Sequence, residues 1–259
     1  MPFKFIQVDA SDGILTLTIN RPEVLNALHF DAHAELSAAI DDYAADPSLR
    51  VAIITGVGER SFCVGTDLKS LALTGPYDYP RGGFGGVTTR LDLWKPVIAA
   101  VNGLCMGGGA EIVAACDLAV ACEHAEFALS EPLVGLAALG GGALQRLARG
   151  MAMKDAMYLA LTAQRISAVE AHRIGLINQV APRGESLARA RVLAAQIVAC
   201  APLAIEASKQ VLLQSLEHVG LAAALDAHYP AAQRMLASRD AVEGPLAFSQ
   251  KRAPHWIGS

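Results

Sequence analysis

Residues 95–117 read KPVIAAVNGLCMGGGAEIVAACD, from Lys95 to Asp117. Residues 97–101 form a short apolar run rich in β-formers, and 112–116 an apolar run at helical spacing, with Gly107, Gly108 and Gly109 between them. The pattern predicts a strand, a tight turn and a helix. Glycines let backbone approach another molecule without a Cβ in the way, and the first N–H groups of a helix lack intrahelical partners. The helix dipole adds roughly half a positive charge at the same end. Gly108 or Gly109 can therefore stabilise an oxygen that turns negative during a reaction, with Glu111 one turn in. The plainer reading, that three glycines only allow close helix–strand packing, stays open. No Lys-Ser or Lys-Thr follows the glycines as a P-loop requires, and no GxGxxG opens the first βαβ unit.

The chain has 259 residues, 53% of them hydrophobic and 18% charged, enough for one large core or a core with an appendage. A formal net charge of -4 provides no overall basic field, which argues against nucleic acid as a partner. A polyanionic ligand must be held by local cations such as Arg21, Lys69, Arg81, Arg90, Lys95, Lys251 or Arg252, most of which read as solvated surface charges. Five cysteines, an odd number lying mostly in apolar runs, speak against a disulfide framework. The N-terminus resembles neither a signal nor a transit peptide, and charges or turn residues interrupt each apolar run. The expectation is a soluble cytoplasmic protein without membrane association.

Working outward, residues 3–8 and 13–20 alternate like the two strands of a hairpin, and Asn20-Arg21-Pro22 breaks the pattern before an Ala-rich amphipathic helix over 30–45. His29 and His33 share a helix face, but Phe30 stands where a zinc hydrolase needs Glu, so no metal site is assigned and the pair reads as a solvated helix start. Residues 51–55 are a compact strand leading to 61–69, SFCVGTDLK, where Gly65 tolerates positive φ, Asp67 can cap a short helix and Thr66 offers a second free N–H. Cys63 reads as buried packing rather than a nucleophile. Residues 74–86, TGPYDYPRGGFGG, read as a mobile loop, either a lid over an acyl chain or an ordinary connection.

Residues 118–122 are a further strand. Glu131 is a carboxylate between Leu129 and Leu133, where desolvation raises its pKa, and a turn follows at Gly140-Gly141-Gly142. Helices are expected over 152–162 and 167–174, the latter opened by a capping box of Ser167 and Glu170, and a strand over 177–180. From Glu185 the pattern is helical, broken at Pro202, Gly220, Pro230 and Gly244-Pro245. The shift near residue 183 divides an α/β core, 1–183, from a helical region, 184–259.

Taken together, Asn20-Arg21-Pro22 with Leu25-Asn26-Ala27-Leu28, the 62–69 segment, AAVNGLCMGGGAEIVAACD, the surroundings of Glu131, Arg165-Ile166-Ser167, Gly175-Leu176-Ile177 and the ending Phe248-Ser249-Gln250-Lys251-Arg252 resemble the crotonase superfamily, the enoyl-CoA hydratase and isomerase family, and its hydratases most. The resemblance implies a spiral of ββα turns followed by C-terminal helices that trimerise, giving a homotrimer or dimer of trimers. It implies a coenzyme A thioester as substrate, in fatty acid metabolism, with no metal and no cofactor apart from the coenzyme A of the substrate. The family's two oxyanion-hole amides match Thr66 and Gly108, and its two catalytic carboxylates match Glu111 and Glu131. Thr66, Asp67, Leu68 and Lys69, with Gly107, match the segments lining the thioester and pantetheine. Glu23, Val24 and Leu25 match the segment near the adenine, and Lys251 one that reaches the coenzyme phosphates of a neighbouring subunit. Ser130 stands where many relatives have Pro, Glu23 where hydratases often have a basic or small residue, and Thr66 where Ala is common.

These residues point to hydration of an α,β-unsaturated acyl-CoA to the 3-hydroxyacyl-CoA. The alternatives are a Δ3,Δ2-enoyl-CoA isomerase or another reaction of the family, and, in a different class, a non-catalytic scaffold.

Overall fold

The computed structural model describes residues 3–76 and 78–259. Strands β1 (Ile6–Ser11) and β2 (Ile14–Ile19) pair antiparallel, Ser11 opposite Ile14, across a two-residue turn in which Asp12 and Gly13 have φ of 54° and 77°. Turns of that hand match the twist of the flanking strands. The first strand starts later than expected. Helix α1 (Phe30–Ala45) carries Glu35, whose carboxylate accepts the N–H groups of Lys4 (2.8 Å) and Phe5 (2.7 Å).

Three ββα units follow. The first strands of each, β3 (Val51–Gly56), β5 (Val97–Val101) and β7 (Leu118–Cys122), extend one parallel sheet, while the second strands, β4 (Ser61–Cys63), β6 (Leu104–Met106) and β8 (Glu126–Ala128), build another. Their helices are α2 (Leu68–Thr74), α3 (Gly108–Ala115) and α4 (Ala143–Gly150). This repetition is the spiral the resemblance implied. Helix α5 (Met153–Thr162), strand β9 (Ile166–Ser167), helix α6 (Ala168–Arg173) and strand β10 (Gln179–Ala181) complete the two sheets, in orders β1-β2-β3-β5-β7-β10 and β4-β6-β8-β9. Asn102 locks successive units together. Its Oδ1 accepts the Gly56 N–H (3.1 Å), and its Nδ2 donates to Gly58 O (2.7 Å) and Ser61 O (2.9 Å).

Every residue of β3 and β5 is buried, which explains why both read as continuous apolar runs rather than alternating ones. Leu17, Ile54 and Ala99 belong to the main core with α1, while Val51, Ile53, Ile98 and Val120 pack on the other face against Ala190 and Ala194 of helix α7 (Ser186–Val198). Helix α7 therefore packs on the sheet although it lies beyond residue 183. Helices α8 (Pro202–Gln214), α9 (Leu221–Asp226), α10 (Pro230–Leu236) and α11 (Asp240–Ser249) follow, with α10 packed on α8 and α11 on α10. Among the described residues no single helix is long and apolar enough to cross a membrane.

Several expectations are corrected. His33 is not solvated: it is fully buried, its Nδ1 accepts the Gly85 N–H (3.0 Å), and burial lowers its pKa to about 3. The second half of the 74–86 loop is packed rather than mobile, because Phe84, Gly85 and Gly86 are buried between α1 and α3; Tyr77 lies outside the described residues. Arg21, Arg90 and Lys95 are structural cations. Arg21 bridges Ala27 O and Asp67, Arg90 joins Asp41 and Asp92, and the Lys95 ammonium donates to the carbonyls of Tyr43 and Asp46. The capping box at Ser167 is half formed, since Ser167 Oγ accepts the Glu170 N–H (3.2 Å) while the Glu170 carboxylate turns to Arg173. Gly244-Pro245 does not break α11, where the Trp256 ring fills the space beside Gly244 and Asp240 accepts the N–H groups of Ile257 and Gly258.

Candidate active site

The first turn of α3 is jammed against the end of β4: a Cβ on Gly109 would lie 2.0 Å from Cys63 O, and one on Gly108 would lie 2.2 Å from the Phe84 ring. Only glycine permits that approach, which sets the two segments side by side. A Cβ on Gly65 would fall 3.0 Å from the Gly108 nitrogen, so the Thr66 amide follows directly beside it. The Leu28 N–H donates to Gly65 O (2.8 Å) and the Asp67 N–H to Leu28 O (2.8 Å). Residue 66 therefore faces the opposite way, its N–H directed away from residue 28. Among the described residues no acceptor is recorded for the Thr66 or Gly108 N–H. The sulfur of Cys63 accepts the Gly65 N–H (3.4 Å), and complete burial pushes its thiol up to about 12, which makes it packing.

Two carboxyl groups converge here. Glu111, the fourth residue of α3, is 3% exposed. Its Oε1 accepts the Gly141 N–H (2.8 Å) and, more weakly, the Ala143 N–H (3.4 Å). Glu131 opens a 3-10 turn, Glu131–Val134. Its Oε1 lies 3.2 Å from where a Cβ on Gly107 would sit, and Gly107, at φ 54° and ψ -124°, leaves that place open. The Glu131 Oε2 is buried without a hydrogen-bond partner among the described residues. Desolvation raises the pKa of both groups. Hydrogen bonds from Gly141 and Ala143 and the Arg146 charge oppose it at Glu111, whereas at Glu131 its own N–H opposes it and the Glu111 charge reinforces it.

Of the residues singled out in the sequence, Thr66, Gly107, Gly108, Glu111 and Glu131 gather at one place. Val24 and Leu25 lie on the 21–28 segment, whose Leu28 is bridged to Thr66. Asp67 caps α2 through the Ser70 N–H (3.1 Å) and pairs with Arg21 (2.9 Å), so its carboxylate fastens the 21–28 segment to the site. Glu23 is exposed in a 3-10 turn, and Leu68 and Lys69 are exposed at the start of α2. Lys251 is exposed just past α11. Among the described residues no group of three His, Cys, Asp or Glu side chains could hold a metal ion.

Sequence reasoning missed the support behind Glu111. Arg146 donates to the carbonyls of Gly141 (2.8 Å) and Thr88 (2.6 Å), holding the glycine turn whose N–H reaches the carboxylate. The signal was the GGG at 140–142, read only as a turn. Tyr79 was also missed: a Cβ on Gly140 would lie 3.4 Å from its hydroxyl and 3.6 Å from Glu111 Oε2, which puts the phenol beside the carboxyl.

The model of the enoyl-CoA hydratase/isomerase family matches residues 9–259. Carnitinyl-CoA dehydratase of Proteus mirabilis (strain HI4320) is 40% identical over 254 residues, 95% of each chain. Carnitinyl-CoA dehydratase of Escherichia coli (strain K12) is 39% identical over 261 residues, 98% of each chain. Among solved structures, enoyl-CoA hydratase EchA1 from Mycobacterium marinum superimposes with a TM-score of 0.92 at 39% identity, covering 98% of this chain and 99% of that one. The similarity runs over nearly the whole chain, and the chain belongs to the enoyl-CoA hydratase/isomerase family.

Proposed function

We propose that this protein adds water across the double bond of an α,β-unsaturated acyl-CoA thioester, giving the 3-hydroxyacyl-CoA, and runs the reverse dehydration. The observation that carries the reading is the meeting of two carboxyl groups, buried Glu111 and half-buried Glu131, with the adjacent amides of Thr66 and Gly108. Attack of water at Cβ moves negative charge onto the thioester oxygen. Each N–H aimed at that oxygen lowers the barrier by roughly 3 kcal/mol, and the start of α3 adds its dipole. The carboxylate at Glu111 is favoured by its two N–H donors, so it takes the proton from water. Glu131, with an unpartnered oxygen beside a like charge, holds a proton and delivers it to Cα. The relatives' name, carnitinyl-CoA dehydratase, describes removal of water from a CoA thioester, the same chemistry in reverse.

The test is loss of the conjugated enoyl absorbance when crotonyl-CoA is added. Glu111→Gln and Glu131→Gln should each cut turnover by about 10²–10⁴ while leaving thioester binding within a few fold. Because both pKa values are raised, activity should fall on the acid side as Glu111 gains a proton and on the alkaline side as Glu131 loses one. Wild-type rates in both variants would sink the assignment. Absorbance gained from a 3-enoyl-CoA would turn it to isomerisation, and no reaction with any thioester would point to a scaffold.

The remaining parts of the reading follow from the surface. Leu212, Leu216, Leu221, Leu225 and Leu236 are all exposed on the helices after α7, an apolar face suited to a homotrimer or a dimer of trimers. Lys251, exposed beyond α11, would then meet the coenzyme phosphates of a neighbouring subunit. Glu23, Leu68 and Lys69 would line the coenzyme from the rim. All five cysteines are free, which suits the cytoplasm.

A further inference from the structure

The guanidinium of Arg146, a half-buried residue on α4, makes no ion pair among the described residues. Its hydrogen bonds all go to main-chain carbonyls, Gly141 O (2.8 Å), Gly142 O (3.4 Å) and Thr88 O (2.6 Å). Glu111 is in the converse position. It is 3% exposed, in no ion pair among the described residues, and its Oε1 accepts from the Gly141 N–H (2.8 Å) and the Ala143 N–H (3.4 Å). Gly141 therefore has its N–H on the carboxylate and its carbonyl on the guanidinium. The 142–143 peptide repeats the arrangement with longer bonds, its oxygen toward the cation and its N–H toward the anion. The two charges face each other across main chain whose hydrogen bonds polarise one another. No other cation acts on this carboxyl among the described residues. Glu131 approaches from its 3-10 turn, the Tyr79 phenol borders Gly140 beside Glu111 Oε2, and His33, whose ring meets Tyr79 and Phe84, is kept neutral by burial. Arg149, also on α4, is exposed. The Arg146 fork also reaches the 82–89 segment, where Thr88 is buried and Phe84 packs beneath Gly108. One side chain thus ties the turn that feeds Glu111 to the loop under the candidate oxyanion amide.

We propose that Arg146 is a positioning residue of the reaction: through the main chain of Gly141 and Ala143 it aims the Glu111 carboxylate at the attacking water and supplies the countercharge that this buried acid lacks. The inference rests on the hydration reading for the role of Glu111. Acting through peptide units rather than by direct contact has a consequence. A guanidinium bonded straight to the carboxylate would cover its oxygens and depress its basicity. Across one residue of main chain, the charge favours the ionised form while Oε2 stays out of the bonds that hold Oε1, so the group keeps the basicity a general base needs. The shape of the cation matters as well. Its two ends diverge to Gly141 and Thr88, a span that the point charge of a lysine ammonium does not reproduce.

A cavity of about 150 Å³ bordered by Arg146, Asp117 and Asn178 adjoins the guanidinium, so a shorter polar side chain there opens onto a polar space instead of leaving a dry void. The experiment measures kcat, KM and the pH profile of kcat/KM on crotonyl-CoA, with calorimetric binding of butanoyl-CoA, which is saturated and not turned over. Arg146→Gln removes the charge and the fork. It should lower kcat by about 10²-fold and move the acid limb up by about half to one pH unit, because without the guanidinium Glu111 takes up its proton at higher pH. Butanoyl-CoA affinity should stay within about threefold, since Arg146 acts on the base and not on binding. Arg146→Lys keeps the charge and loses the fork, so the acid limb should remain near that of the wild type while kcat falls by about tenfold. An unmoved acid limb in a folded Arg146→Gln protein overturns the proposal even if kcat falls, because the residue is then merely structural. Should that variant not fold, Arg146→Lys decides alone: wild-type kcat overturns the proposal, and a lowered kcat with the limb and the butanoyl-CoA affinity unchanged supports it. Wild-type protein that binds butanoyl-CoA without hydrating crotonyl-CoA overturns hydration and the proposal together, whereas normal wild-type turnover with an unmoved limb in Arg146→Gln removes the role of Arg146 alone.

Discussion

A side chain that loses water on folding favours its neutral form, and three such groups gather around this site. Glu111 and Glu131 are both pushed up by burial, and they part because the N–H groups of Gly141 and Ala143 oppose the shift at Glu111 while the Glu111 charge adds to it at Glu131. His33 is the third. Its pKa falls from 6.5 to about 3, so the unfolded chain takes up a proton before the folded one does. Stability that His33 contributes is complete above pH 6.5 and drains away as the pH falls toward 3. Urea denaturation midpoints measured across that range should decline, and more steeply in the wild-type protein than in His33→Gln, which has no imidazole to titrate. Parallel curves for the two proteins would show that the imidazole is not held neutral.

At the scale of elements, the site depends on how closely α3 can approach β4. The Gly109 hydrogen stands where a methyl group would press on Cys63 O at 2.0 Å. Backbone on both sides leaves no flexible side chain to yield, so Gly109→Ala must move either the helix or the strand. Overpacking of this kind costs roughly 1–3 kcal/mol, read as a lowered denaturation midpoint. The displacement would also separate the Thr66 and Gly108 amides, so the variant should lose turnover on crotonyl-CoA even at temperatures where it is fully folded. Retained turnover with unchanged stability would contradict the close approach. The turn after Glu131 plays a complementary part: Arg146 draws in the carbonyls of Gly141 and Thr88, and the Gly141 N–H is left to orient Glu111.

For the whole molecule, the two faces of the larger sheet are covered by different parts of the chain, α1 on one side and α7 on the other. The helices after α7 pack chiefly on one another and leave a row of leucines facing out. Association through that row predicts sedimentation at three or six times the chain mass of 27.1 kDa. Replacing Leu216 and Leu221 together with Asp should yield smaller species, because burying two unpaired carboxylates opposes association. A wild-type chain that sediments as a monomer would remove the trimer.

The strand–glycine–helix pattern at 95–117, the paired apolar runs before it and the helical tail after it were all readable from the sequence, because periodicity and backbone-permissive residues are local properties. Glu111 and the Gly108 amide could be singled out because the glycines that create the helix start lie next to them in the chain, the Thr66 amide because Gly65 precedes it, and Glu131 because Leu129 and Leu133 flank it. The roles of His33, Arg21 and Lys95 were not, because each is a polar residue whose partner lies on another element, 52, 46 and 52 positions away. Tyr79 and Arg146 escaped notice for the same reason. A phenol in a Gly-Pro loop reads as surface until folding brings Gly140 and Glu111 to it. An arginine on an amphipathic helix reads as solvated until the carbonyls of a distant turn surround it. Local pattern determined which elements form; only their packing decided which polar groups lose water, and that loss sets the chemistry of the site.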